Sequence, residues 1–213
     1  MSASGMRLYL GGHSGVWRSD DGGQRWMHLD HRQPPAGVTL VPGALLPPAV
    51  YDLRILPSDH DVVLAATGGD TRSSPSNGIY RSGDAGASRQ RVHTFSGGTV
   101  GSLASAPDDE RLMFAGGQYA VGVSTDGGLT WTERYPQVGQ DVWYVVCGPQ
   151  TGLVRRVYAV GSQVWYSSDG GVTWAKDPVP LWADQLTNGE GDSTGQCPRC
   201  AAVGSRAAGG RPA

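Results

Sequence analysis

The sequence predicts an all-β chain assembled from repeats of one four-stranded antiparallel sheet, and three observations carry that prediction. A spaced pattern, Ser-x-Asp-x-Gly-x-Thr-Trp, recurs four times in different states of preservation. Short apolar, β-rich runs alternate with turn residues, in a chain that holds 33 Gly and 14 Pro among 213 residues; many short strands separated by such turns mark an all-β architecture. The copies also fall at a regular interval, the signature of a repeat array.

The pattern is clearest in VGVSTDGGLTWTE, with Ser124, Asp126, Gly128, Thr130 and Trp131. It returns as Ser167, Asp169, Gly171, Thr173 and Trp174, and as Ser19, Asp21, Gly23 and Trp26 with Arg25 in place of the Thr. A decayed copy holds Ser82, Asp84 and Gly86, with Ser88 for Thr and Arg89 for Trp. Each copy follows a strand-like run, and its final residue opens another, so each reads as a hairpin turn. The Asp carboxylate accepts neighbouring backbone N–H groups, and Gly takes positive φ without steric cost. The Ser hydroxyl bonds the same loop, and the Trp anchors the hairpin on the layer beneath. A calcium loop would need more oxygen ligands and a terminal bidentate Glu. No metal and no cofactor is therefore expected.

The four aspartates, 21, 84, 126 and 169, are separated by 63, 42 and 43 residues. A period near 42 matches a four-stranded β-propeller blade, and the longer first interval holds the Pro-rich run RQPPAGVTLVPGALLPPA. The expected organisation is a partial blade over 1–31, a connecting loop over 32–49, blades over 50–98, 99–140 and 141–183, and a disordered tail over 184–213. In the partial blade Arg7–Leu10, Val16–Ser19 and Trp26–Asp30 read as strands, and the innermost strand is missing. In the complete blades Pro57, Pro107 and Pro149 are expected to end the first strands. Trp143 and Trp165 are expected to pack between blades. The tail, rich in Gly, Ala, Ser and Arg, has no alternation with which to bury an apolar face; an array cut short or shifted out of frame would leave such an end.

The repeated unit resembles the Asp-box, or BNR repeat, of sialidases, sortilin-type receptors, xyloglucanases and photosystem II assembly factors. The resemblance covers roughly residues 6–183. It implies that the boxes are structural turns on the outer hairpins of a β-propeller. It also implies that a ligand binds the opposite face, where the innermost strands begin and the loops between second and third strands lie. Candidates there are Asp52, Ser102 and Tyr144, aligned on three first strands, and His13, Asp70, Arg72, Gln118, Tyr119 and Gln163 in the loops. The implied partner is a protein or a glycan. The resemblance also implies an extracytoplasmic setting, although MSASGMRLYLGG has no charged-then-apolar signal segment.

The catalytic sets of these families do not map onto the chain. Sialidases use three arginines, a Tyr nucleophile with a Glu base, and an Asp acid. Their Arg-Ile-Pro motif is interrupted here as Arg54-Ile55-Leu56-Pro57, and most other arginines lie near the box turns, as Arg18 and Arg81 do. Xyloglucanases need two distant aspartates, for which Asp52 and Asp141 are the available residues. The five His are scattered, with no nucleophile elbow and no phosphate loop.

A formal charge of −2 with no basic stripe argues against nucleic acid. No apolar run reaches the roughly 18 residues of a membrane helix. Cys147 sits in the apolar run VWYVVCG and reads as a buried small residue, while a lone Cys197-Pro-Arg-Cys200 is weak evidence for zinc. The expected function is non-catalytic recognition or scaffolding. The alternative is a fragment or inactive relative of a glycoside hydrolase. Three and a half blades do not close a ring of about six or more, so self-association through open blade edges is expected.

Overall fold

The computed structural model describes residues 7–13, 15–29, 49–68, 77–136 and 141–177. The 32–48 part of the connecting loop, the tail after 184, Asp70, Arg72 and the two C-terminal cysteines lie outside these residues.

Fifteen strands and no helix occur among the described residues, in four antiparallel sheets. The first sheet has three strands in the order β1-β2-β3: β1 (Leu8–Gly12), β2 (Gly15–Ser19) and β3 (Met27–His28). The second holds β4 (Ala49–Ile55), β5 (Val63–Gly68), β6 (Gly78–Ser82) and β7 (Gln90–His93). The third holds β8 (Val100–Ala106), β9 (Asp109–Gly117), β10 (Ala120–Ser124) and β11 (Thr132–Arg134). The fourth holds β12 (Val142–Thr151), β13 (Val154–Gly161), β14 (Val164–Ser167) and β15 (Ala175–Lys176). Every complete sheet is an up-and-down meander whose strands pair in chain order. This is a partial β-propeller of about three and a half four-stranded blades. Among the described residues β1 has no strand on its inner side.

Register fixes the equivalence of the blades. The box serines Ser19, Ser82, Ser124 and Ser167 pair with Leu8, Val63, Met113 and Val157 on the second strands. The innermost strands β4, β8 and β12 each carry a bulge near their start, between Val50 and Asp52, Val100 and Ser102, and Val142 and Tyr144. A bulge adds local twist and re-aims the side chains that follow, and its recurrence orients Asp52, Ser102 and Tyr144 alike.

The core lies between the sheets, as three layers. Val16, Val50 and Ala65 join the first two sheets, with Tyr9, Leu29, Leu53 and Tyr80 around them. Leu64, Ala66 and Ile79 meet Val100, Leu103 and Met113 in the second layer. Phe114 and Val121 meet Val145, Val157, Ala159 and Trp165 in the third. A strand enclosed on both faces buries every side chain, and all six residues of β5 are buried.

Two expectations are corrected here. Pro107 follows the end of β8, but β12 runs through Pro149 to Thr151. A second bulge between Cys147 and Gln150 takes Pro149 out of the ladder, where its missing N–H costs no hydrogen bond. Trp165 is buried between blades, whereas Trp143 is the bulged residue and its side chain is 42% exposed. Cys147 is partly buried against the third layer.

Candidate functional site: the box turns and the inner-strand rim

The box turns are closed by hydrogen bonds within five residues. Ser124 Oγ donates to Asp126 Oδ1 at 2.8 Å and accepts the N–H of Gly128 at 2.9 Å. Asp126 Oδ1 accepts the N–H groups of Leu129 at 3.0 Å and Thr130 at 2.9 Å, and Oδ2 accepts the Thr130 hydroxyl at 2.5 Å. Trp131 Nε1 donates to Gly128 O at 3.1 Å. The set recurs around Ser167, Asp169, Gly171, Thr173 and Trp174. The Ser19, Asp21, Gly23 and Trp26 turn keeps the Ser, Gly and Trp bonds and the Arg25 N–H to Asp21, and the Ser82, Asp84 and Gly86 turn keeps the Ser and Gly bonds and both Ser88 bonds to Asp84.

These bonds act on the charge of the aspartates. Burial raises the Asp126 carboxyl, but the Thr130 hydroxyl and N–H with Ser124 and Leu129 outweigh it and hold the group at about 2. The Thr173 hydroxyl and N–H hold Asp169 at about 2. Asp21 is lowered chiefly by the Arg25 N–H; in Asp84 burial is outweighed by the Ser88 hydroxyl and N–H. Every carboxylate faces donors of its own turn. Among the described residues no group of three metal-ligating side chains occurs.

The turns also grip the preceding blade. Gly128 has φ of 81° and lies on Leu64 of the second sheet, where a Cβ would collide with Leu64 Cδ2. Gly171 lies in the same way on Phe114 of the third. Arg18 Nη1 donates to Ala85 O at 2.7 Å, and Arg81 Nε to Gly127 O at 3.3 Å. The arginines near the boxes thus cross from one blade to the next turn. Ala85 takes the left-handed conformation, φ 59°, that Gly22, Gly127 and Gly170 take in the other boxes.

On the opposite rim two ligand candidates are already engaged. Asp52 Oδ2 accepts the N–H of Leu103 at 2.9 Å, and Ser102 Oγ accepts the N–H of Val145 at 2.9 Å. Each innermost strand therefore holds the next by the side chain after its bulge. The acceptors of Asp52 and Ser102 thus face the neighbouring backbone. Asp52 Oδ1 is also taken, by its own Leu53 N–H and by Arg54. Tyr144, third in the series, is 65% exposed. Tyr119 takes a φ of 72° in the loop between β9 and β10, and its hydroxyl accepts a hydrogen bond from Gln118 Nε2 at 3.1 Å. Gln163 Oε1 is buried without a partner among the described residues, and His13 is exposed. Tyr51, Tyr119, Trp143 and Tyr144 thus expose aromatic surface at the end of the sheets away from the boxes.

A polar junction that the repeat pattern did not mark joins the second and third sheets at their outer edge. Glu133 accepts the Ser96 hydroxyl at 2.9 Å and the Tyr135 hydroxyl at 2.7 Å, and lies 3.2 Å from His93 Nε2. His93 stands edge-on to the buried Phe95 at 4.9 Å.

With this geometry the class is plain: the chain is a partial β-propeller carrying Asp-box repeats. The BNR/Asp-box repeat family matches residues 165–176. An ancestral GH74 enzyme superposes with a TM-score of 0.58 at 18% identity, over 83% of this chain and 23% of that one. A GH74 enzyme of Niastella koreensis gives 0.58 at 21% identity, over 83% and 29%. YCF48 bound to D1 peptide gives 0.49 at 13%, over 79% and 50%. The chain thus spans under a third of the two GH74 enzymes. No curated protein sequence matches it.

Proposed function

We propose that this chain is part of a non-catalytic recognition or scaffolding propeller, and that its protein or glycan ligand sits on the rim away from the Asp-box turns. The observation that carries the reading is the division of labour between first-strand residues. Asp52 and Ser102, the polar pair, are spent on holding blades together. What the rim presents is aromatic: Tyr144 at 65%, Tyr51 at 49% and Trp143 at 42% exposure. Exposed aromatic rings with few competing charges suit contact surfaces, since they bury much area at low entropic cost. The test is binding of the full chain to immobilised glycans and to a peptide library. Capture that is weakened by Tyr144→Ala and Trp143→Ala supports the reading; binding indifferent to both overturns it.

A second reading, a section or inactive relative of a glycoside hydrolase, is favoured by one feature. Asp141, at the entrance to β12, has a buried Oδ1 without a hydrogen-bond partner among the described residues. Hydrolysis of an aryl sialoside or a xyloglucan-type substrate, lost on Asp141→Asn, would establish that reading over the first.

A further inference from the structure

Granted the recognition role proposed for the rim, we infer that its ligand is an uncharged peptide segment of a protein partner, and that Tyr119 is the residue that anchors it.

Tyr119 stands where a tyrosine is out of place. Ala120 pairs with Gly117, so Gln118 and Tyr119 alone make the hairpin turn between β9 and β10. Tyr119 takes a φ of 72° there. A tight turn that needs positive φ at its second loop position takes Gly or Asn, and an aromatic residue is held against its backbone preference. Such strain persists only where the surroundings over-determine it, and it gathers at ligand contacts.

The surroundings are built to hold this ring. Phe95 is buried against Gly117 and Gly122 of the third sheet, where a Cβ would collide with its ring. It pins the turn at 95–98, which the Gly98 N–H closes on Phe95 O at 2.8 Å. Gln118 lies on that turn. Its N–H reaches Thr99 O at 2.9 Å, and its side chain covers Gly97, where a Cβ would meet Gln118 Cβ at 2.4 Å. The Gln118 amide then donates to the Tyr119 hydroxyl at 3.1 Å. The ring so fixed is 39% exposed and belongs to none of the core layers. A glycine would serve the turn better, so the ring is kept for what it presents. Its exposure belongs to an inner part of the array, where β8 packs on both β4 and β12.

The chemistry beside Tyr119 points to peptide. The same turn brings up Ser96, with the half-exposed Tyr135 hydroxyl 3.4 Å from its Oγ. Tyrosine set among Ser and Gly is the makeup of surfaces that read proteins, rigid amphipathic rings with small polar fillers. The carboxylate of this cluster, Glu133, is engaged by the Ser96 and Tyr135 hydroxyls and by His93. It is therefore spent as an acceptor for the paired hydroxyls of a sugar ring, and it offers no free charge to a cationic partner. The Tyr119 hydroxyl accepts from Gln118 and keeps its own proton to donate; the matching acceptor is the carbonyl that every peptide bond supplies.

The test pans a library of displayed linear peptides, and in parallel an array of immobilised glycans, on the full chain. A recovered peptide is then synthesised and its affinity measured for wild type, Tyr119→Gly and Tyr119→Asn. Both variants should bind roughly tenfold or more weakly, while their melting temperatures stay level or rise, because Gly and Asn suit positive φ. The affinity of wild type should change little between about 0.05 and 0.5 M salt, as an uncharged contact requires. A ring with a merely structural role gives the reverse, a lower melting temperature with binding intact, and overturns the inference. Peptides that ignore Tyr119 but are lost on Tyr144→Ala overturn it too, as does capture of glycans alone; both leave the rim function standing. Capture of neither class removes the two together.

Discussion

The carboxylate of Asp52 accepts the main-chain N–H of Leu103, a residue 51 positions later and on the neighbouring sheet. Leu103 is fully buried, so this N–H has no access to water. Removing its acceptor leaves a buried donor unpaired, at a cost of about 1–3 kcal/mol. Asp52→Ala is expected to lower stability by that amount, and Asp52→Asn, which keeps an acceptor oxygen, by less. Ser102→Ala should act like Asp52→Ala, because Ser102 holds Val145 in the same way. Urea unfolding of the three variants checks this. Equal stability of all three with wild type would mean that the clasp contributes nothing.

Acid should loosen the boxes. Asp126 and Asp169 titrate at about 2 in the folded chain, below the usual 3.8, and Asp21 and Asp84 are lowered too. A depressed carboxyl contributes stability that is fully present above its unfolded value and is lost as pH falls through its folded value. Stability should therefore fall between about pH 4 and about pH 2. The double variant Asp126→Asn with Asp169→Asn should be less stable at neutral pH and lose less on acidification. Unfolding midpoints measured across that range test both halves.

Ala85 is strained where the other boxes use glycine. A non-glycine residue in the left-handed region costs about 1–2 kcal/mol, while the lost buried methyl and added chain entropy return part of this. Ala85→Gly is expected to stabilise by about 0.5–1 kcal/mol, read as a higher melting temperature. A drop would show that the methyl, 6% exposed, matters more than the backbone.

The second box should be the weakest hairpin for a second reason. Arg89 stands where Trp26, Trp131 and Trp174 donate to their box glycines. It borders a mostly apolar cavity of about 30 Å³ beside Tyr9, Leu29, Tyr80 and Gly86. Arg89→Trp should restore the bond to Gly86 O, cover that cavity and raise the melting temperature. Destabilisation would mean that the blade has repacked around the arginine.

The boxes were legible because the bonds that define the turn are local. Ser124, Asp126, Gly128 and Thr130 bond one another within a few residues, so spacing alone encodes the turn. The meander was legible from the alternation and the period. The blade-holding bonds of Asp52 and Ser102 were not legible, because repeat symmetry aligns ligand residues and blade-holding residues equally well. Only the contact between sheets, set by a bulge and spanning 51 and 43 residues, separates the two roles. Pro149 was misread for a similar reason, since a bulge absorbs what a regular ladder would reject. The Glu133 junction has no repeat counterpart and left no periodic trace.

Four of the grips along the array point one way, while Glu110 of the third sheet reaches back to the N–H of Ser58. Asp52, Ser102, Arg18 and Arg81 reach from an earlier blade to backbone groups of a later one. A ribosome delivers the blades in that order. The side chain that reaches out waits in water, where a carboxylate, a hydroxyl or a guanidinium is at ease. The N–H of Leu103 or Val145 then leaves water only once its acceptor is in place. Growth from the other end would do the opposite, closing sheets over donors whose partners had not yet been made. The direction of these four clasps thus suits vectorial synthesis, with each new blade folding against a finished template.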